Sequence, residues 1–192
     1  MELTRLRQIF DDHNAPRAPV EGARAAVAAI FRSGDDGTEL LFIERARRQG
    51  DPWSGHMALP GGRVDPTDEH ELAAAERETW EEVSLDLTPA ERLGRLDDLT
   101  GAARPITVSA FGFWLPGARP QLQPNYEVAD TLWIPLSELS DPDRAVAYHY
   151  HLRERDVFPG IAIAGERVVW GMTLRLLQDF FTRLGQPLTF PV

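Results

Sequence analysis

Most of the chain alternates short apolar runs with polar turns, and one stretch breaks that rhythm. From Leu59 to Leu87 it reads LPGGRVDPTDEHELAAAERETWEEVSLDL, a Pro-Gly-Gly turn followed by Asp65, Pro66, Thr67 and Asp68 and then an unbroken helical pattern. Asp68 has a good N-cap side chain, and Glu69 and Glu71 fall in a first turn where the helix dipole favours negative charge. Leu72, Ala75, Thr79 and Val83 recur at three- and four-residue spacing and predict the buried stripe.

Leu3, Leu6, Ile9 and Phe10 predict a short N-terminal helix, followed by a linker with two prolines between Asn14 and Pro19. The chain therefore divides into a helix and linker over 1–19 and one domain over 20–192. The helix could pack on a partner chain, giving a homodimer, or on its own domain. Apolar runs on either side of Ser33-Gly34-Asp35-Asp36-Gly37 predict a hairpin with strands near 23–32 and 39–45. A short strand is expected at Met57–Leu59, extended chain at Glu91–Leu99 and a clear strand at Thr107–Leu115. A further strand leads from Tyr126 into Trp133-Ile134-Pro135-Leu136. A last hairpin, over 157–163 and 167–170, precedes a helix over 171–184 with Met172, Leu176, Leu177, Phe180 and Phe181 on its apolar face. Strands around a helix, then more strands and a final helix, suggest an α/β fold with a mixed sheet between helices.

Composition narrows the function classes. At 192 residues the chain is long enough for one domain with a sizeable core. No apolar run approaches a membrane span, and the polar start MELTRLRQIFDD is unlike a signal peptide, so no membrane partner and a cytoplasmic location are expected. Without cysteine, thiol catalysis and thiolate metal sites are excluded, and without lysine so are a Walker-type loop and Schiff-base chemistry. A net charge of −10 argues against non-specific nucleic-acid binding. An anionic small molecule would have to be received locally, by bound metal and a few arginines.

Glu78, Glu81 and Glu82 stand at i, i+3 and i+4, so all three carboxylates share one helix face. Like charges at that spacing repel, and Arg77 can reach only part of the cluster. A hard divalent cation such as magnesium, which takes oxygen ligands beside substrate phosphates, suits such a face. A solvated acidic face is the alternative reading of ERETWEE alone.

With the Gly-Gly turn ahead of it, the segment resembles the Nudix hydrolase signature, G-x5-E-x7-R-E-U-x-E-E-x-G-U with U apolar. Arg77, Glu78, Glu81, Glu82 and Leu85 match, and Glu69 stands at the family's distance from Arg77. Gly62 is one residue too far from Glu69, Thr79 replaces an apolar residue, and Ser84 replaces the glycine. The longer spacing, with Gly61, Gly62, Asp65 and Asp68, resembles the coenzyme A diphosphatase branch, as do Leu41–Ala46, Pro124-Asn125-Tyr126-Glu127-Val128 and Trp170-Gly171-Met172-Thr173. The branch's second arginine before the box is missing, its place falling at Gly50 or Asp51.

The resemblance implies a Nudix-like α/β/α sandwich and metal-assisted attack of water on a diphosphate, with Mg2+ or Mn2+ as cofactor and a nucleotide as substrate. It implies Glu78 and Glu82 as main metal ligands, Glu81 as a further ligand or base, a main-chain carbonyl from Gly61, and Arg77 as the group that holds the glutamates. Glu127 is a further ligand, the general base or an ordinary strand-edge glutamate. Substrate contacts are expected at Arg45, His56 and Gly62, although His56 could equally pack in its loop. Arg47 and Arg48 read as surface arginines, Trp53 as a base-stacking or core-edge residue, and His149 and His151 as members of an ordinary strand. The branch points to coenzyme A or a derivative; the missing arginine points to another nucleotide, such as ADP-ribose, a dinucleotide or a nucleoside triphosphate. A catalytically silent nucleotide-binding module is the reading outside enzymes.

Overall fold

The computed structural model describes residues 3–11, 22–101, 105–150 and 156–190. Helix α1 (Leu3–Asp11) precedes the hairpin β1 (Ala23–Gly34) and β2 (Gly37–Arg45), then β3 (Met57–Ala58) and β4 (Gly61–Arg63). Helix α2 (Glu71–Val83) is followed by β5 (Glu91–Arg95), β6 (Leu99–Thr100), β7 (Ile106–Trp114) and β8 (Val128–Pro135). Helix α3 (Leu136–Leu139), β9 (Ala145–His149), β10 (Val157–Ala162), β11 (Val168–Trp170) and α4 (Gly171–Arg183) complete the order. The expected linker at 14–19 and His151 lie outside the described residues.

The main sheet runs β3-β2-β1-β7-β5, with β4 also paired to β1, β6 to β7 and β8 to β2. β1 and β7 are parallel and the other pairs antiparallel, so the sheet is mixed as expected. Alternate residues of the central strands enter two separate cores. Ala26, Ala28, Ile30, Leu41 and Ile43 pack toward α2 with Ala74, Ala75 and Val83. Ala29, Phe31, Leu40 and Phe42 pack toward α1 and α4 with Leu6, Phe10, Leu177 and Phe180. Burial on both faces is why these strands read as continuous apolar runs rather than alternating ones. The architecture is the expected α/β/α sandwich.

Helix α1 packs on its own domain. Phe10 is 3% exposed and stacks among Phe31 and Phe180, with ring centroids 6.2 and 6.4 Å away. Gly112 leaves the space its ring fills: a Cβ there would come within 2.6 Å of the Phe10 ring. Arg5 donates to the Leu184 carbonyl at 2.7 Å, and Arg7 forms a paired contact with Glu91.

Three local expectations are corrected. Helix α2 starts later than the pattern suggested: His70, not Asp68, is its N-cap, with Nδ1 accepting from the Ala73 N–H at 3.0 Å. The Gly-Gly turn is itself a short strand, Gly61 pairing with Val27 on β1. The last three strands form a sheet of their own, in the order β11-β10-β9, rather than extending the first. The two residue replacements in the family signature, Thr79 and Ser84, are absorbed locally. Thr79 is fully buried because its hydroxyl donates to the Ala75 carbonyl at 2.7 Å, leaving its methyl for the core. Ser84 adopts the left-handed conformation that glycine would take, at φ 54°, and its N–H closes the helix on the Trp80 carbonyl at 2.9 Å.

Candidate active site

Helix α2 lies across the start of β4, which sets its carboxylates against the Gly-Gly segment. Glu82 is only 3% exposed, and its Oε2 accepts the Gly61 N–H at 2.9 Å. One turn earlier, Glu78 lies directly over Gly62. A Cβ at Gly62 would come within 2.4 Å of the Glu78 carboxyl carbon, so this glycine is the space the carboxylate occupies. At Gly61 a Cβ would strike the Ala26 carbonyl oxygen at 2.2 Å, and the backbone φ of 145° also requires glycine. The two glycines thus serve different ends, one for close backbone approach and one for the carboxylate.

Arg77 uses its whole guanidinium to hold this face. It makes a bidentate pair with Asp68 at 2.9 Å on both arms, and reaches Glu78 Oε1 at 3.0 Å, Glu81 Oε2 at 3.2 Å and the Arg63 carbonyl at 3.1 Å. Asp68, first read as a helix cap, is instead its principal partner. Hydrogen bonding to Asp68 raises the Arg77 pKa, and the same bond holds the Asp68 carboxyl below the usual range. Glu81 stays half exposed at the rim.

The fourth carboxylate arrives by a loop. Gln123 and Asn125 donate their N–H groups to the carbonyls of Val83 and Glu82 at 2.9 and 2.8 Å, which satisfies the open end of α2. Asn125 Oδ1 then accepts the Glu127 N–H at 2.7 Å. Glu127 is close enough for its charge to raise the pKa of both Glu78 and Glu82. Burial is the larger cause in each case and pushes Glu82 up to about 8.

Arg48 is exposed, as expected of a surface arginine, and it has a partner the sequence did not reveal: it pairs with Glu127 at 3.1 Å, and its guanidinium lies 4.7 Å from the Tyr126 ring centroid. The two segments are 79 positions apart, so no local pattern could have joined them. Arg45 lies near enough to Glu82 to oppose its pKa rise, and its Nη2 is 3.4 Å from Asp51 Oδ2. Its Nε is buried without a hydrogen-bond partner among the described residues. Asp51, one of the two positions at which the missing arginine's place falls, is thus a partner of Arg45. His56 is packed edge-on against Trp170 and Tyr150, with ring centroids 4.7 and 5.4 Å apart. Trp53 stays exposed, and so does His149.

A divalent cation is tested by the donor set. Among the described residues, no three His, Asp or Glu side chains are already drawn together as a cage. Glu78 and Glu82 nonetheless offer hard oxygen donors one turn apart, and Arg77 hydrogen-bonds only the first of them. Glu82 is a buried carboxylate whose hydrogen bond among the described residues comes from a neutral amide, so a cation beside it would offset a negative charge that this amide does not neutralise. The residues fit a magnesium-type ion that keeps several water ligands.

Comparison with known proteins agrees with this geometry. The NUDIX domain model matches residues 22–155. An uncharacterized protein of Schizosaccharomyces pombe is 34% identical over 149 residues, covering 67% of this chain and 45% of that protein, so the chain spans less than half of that relative. The mitochondrial coenzyme A diphosphatase NUDT8 of Homo sapiens is 28% identical over 173 residues, 88% of this chain and 72% of that protein. The NUDIX domain of Shewanella oneidensis NrtR, solved with ADP ribose, matches with a TM-score of 0.57 over 85% of this chain and 89% of its own, a likeness of fold at 18% identity. No described helix is long and apolar enough to cross a membrane. With the domain model matching residues 22–155, well over half of its length, the chain belongs to the NUDIX family.

Proposed function

We propose that this protein hydrolyses the diphosphate of a nucleoside diphosphate-linked compound, and that coenzyme A or a derivative is its best substrate. The observation that carries the reaction is the buried Glu82 carboxylate, tied to the Gly61 amide beside a Glu78 that only Gly62 can accommodate. Held by Glu78 and Glu82, Mg2+ or Mn2+ would neutralise charge on the diphosphate oxygens and lower the pKa of the attacking water.

The chain's own groups do the rest. Arg77 fixes the orientation of Glu78 and Glu81 through charge-assisted hydrogen bonds and is itself fixed by Asp68. Arg45, near enough to Glu82 to oppose its pKa rise and with a partly exposed side chain, is the arginine best placed to meet a diphosphate oxygen beside the carboxylates. Glu81 and Glu127 sit at the rim, exposed enough to accept the proton of an attacking water, and each is paired with an arginine that steadies it.

The name of the human relative, the Gly61-Gly62-x-x-Asp65-x-x-Asp68 spacing and the Trp170-Gly171-x-Thr173 run support coenzyme A. The absence of the branch's second arginine, whose place falls at Gly50 or Asp51, favours a second reading, another nucleotide such as ADP-ribose. Mass spectrometry of products from coenzyme A, its thioesters, ADP-ribose, NADH, dinucleoside polyphosphates and nucleoside triphosphates, with each metal, separates the two. Cleavage of coenzyme A to phosphopantetheine and adenosine 3′,5′-bisphosphate is expected. Much faster cleavage of another compound overturns the coenzyme A assignment. Glu82→Gln should lower turnover by orders of magnitude, and near-normal activity in the folded variant overturns its place as a ligand.

A further inference from the structure

Beside the carboxylate site, β2 and the loop after it face the small sheet across a cleft of about 580 Å³, a size suited to a small organic ligand. We propose that this cleft is the nucleotide subsite: it stacks a planar base against Tyr148, which Trp170 backs, and receives an anionic group on Arg47. The inference rests on the proposed diphosphatase reading and names where one half of that substrate sits.

The walls are built to stay in place. Arg167 ties β11 to the main sheet, with Nε 2.8 Å from Glu44 Oε2 and Nη2 2.6 Å from Asp130 Oδ2. Trp170 is gripped by His56 and Tyr148, each with ring centroids 4.7 Å away, and the Tyr150 hydroxyl donates to the Pro52 carbonyl. A subsite with locked walls loses little entropy when it binds. Tyr148 remains half-buried on the lining of the cleft, so one aromatic face of the cluster is still presented to it.

Charge pairing then singles out one cation. Of the three arginines on the lining, Arg167 is spent on Glu44 and Asp130, and Arg48 on Glu127. Arg47 is exposed and has no ion pair among the described residues, so it is open to an anion; of the acidic groups on the lining, Glu44 is paired with Arg167, and Glu166 lies in the turn before β11. Arg48 lies on both the cleft and the Glu127 contact, which makes cleft and carboxylates neighbours. Glu166, Arg167, Val168 and Trp170 lie beyond residue 155, where the domain match ends, so one wall of the cleft is supplied by chain outside the matched domain.

Equilibrium titration with adenosine 5′-monophosphate and with ribose 5-phosphate tests the assignment, with the wild type, Arg47→Ala, Tyr148→Leu, Tyr148→Phe and Glu82→Gln all checked for folding. The wild type should bind the nucleotide at least about tenfold more tightly than the sugar phosphate, on the scale of one stacked base. Tyr148→Leu should erase that difference and Tyr148→Phe keep it, while Arg47→Ala weakens both probes. Glu82→Gln should retain nucleotide binding, so loss of hydrolysis in that variant reports on the reaction and not on the cleft. No preference for the nucleotide, or full binding in both folded Arg47→Ala and Tyr148→Leu, overturns the subsite. Nucleotide binding that is lost in those two variants, in a protein that cleaves no diphosphate, would keep the subsite and overturn the reaction.

Discussion

Replacing Gly62 by alanine should disable the site while sparing the fold. The added Cβ would stand 2.4 Å from the Glu78 carboxyl carbon and 2.5 and 2.6 Å from its oxygens, against ordinary contact from 3.4 Å. The carboxylate must therefore retreat by about 1 Å, a misplacement that can cost on the order of a hundredfold in rate. The obstacle is the end of a flexible side chain, so the backbone need not move. Gly61→Ala is the matched control. Its Cβ would strike the Ala26 carbonyl oxygen at 2.2 Å and the Val27 Cα at 2.5 Å, from a φ of 145°. That collision is with backbone on the central strand, and about 3 kcal/mol or more of stability should go. Thermal denaturation and initial rates at saturating metal, measured on both variants, are the assay. A Gly62→Ala protein with wild-type turnover would refute the claim that this glycine makes room for Glu78. An equal loss of melting temperature in both variants would refute the distinction between them.

Four further outcomes follow from the same geometry. In metal-free protein, Glu82 keeps its proton up to about pH 8 when folded but only to about 4.5 when unfolded, so stability falls as pH rises between those values, by a few kcal/mol in all. Denaturant midpoints across that window should show the slope, and it should shrink markedly in Glu82→Gln, leaving the smaller part due to the raised Glu78; a flat wild-type profile would contradict the burial argument. Below about pH 3.8 the lowered carboxyls of Asp65 and Asp68, held by Thr67 and Arg77, act with the opposite sign, their contribution being lost as pH falls. Ser84→Gly should stabilise the fold by about 1 kcal/mol, since it relieves the one left-handed non-glycine residue among those described, and an unchanged melting temperature would argue against strain there. Phe10→Ala should cost about 3–5 kcal/mol by emptying the space above Gly112, and a loss under about 1 kcal/mol would show that α1 is not part of the core.

What the sequence determined by itself was local chemistry at fixed spacing. Glu78, Glu81 and Glu82 share a face because 3.6 residues make a turn, and Arg77 precedes them closely enough to be read with them. The hairpin, the long strand at β7 and the apolar face of α4 were legible for the same reason: each is a period within one segment. Residue type and distance along the chain fixed Asp68 only as a polar residue near a helix start, and its use as a bidentate partner for Arg77 depended on where α2 begins. Only the tertiary structure decided which groups meet across the chain. Arg48 found Glu127 through the docking of residues 123–125 on the end of α2, a contact that no periodicity encodes. Gly62 became specific to Glu78 only when β4 was laid beneath the helix, and the separate sheet of β9–β11 came to face the β2 loop only through Arg167 and the aromatic cluster. Spacing fixes what one segment can offer, whereas packing of distant segments sets which offered groups lie within hydrogen-bond reach.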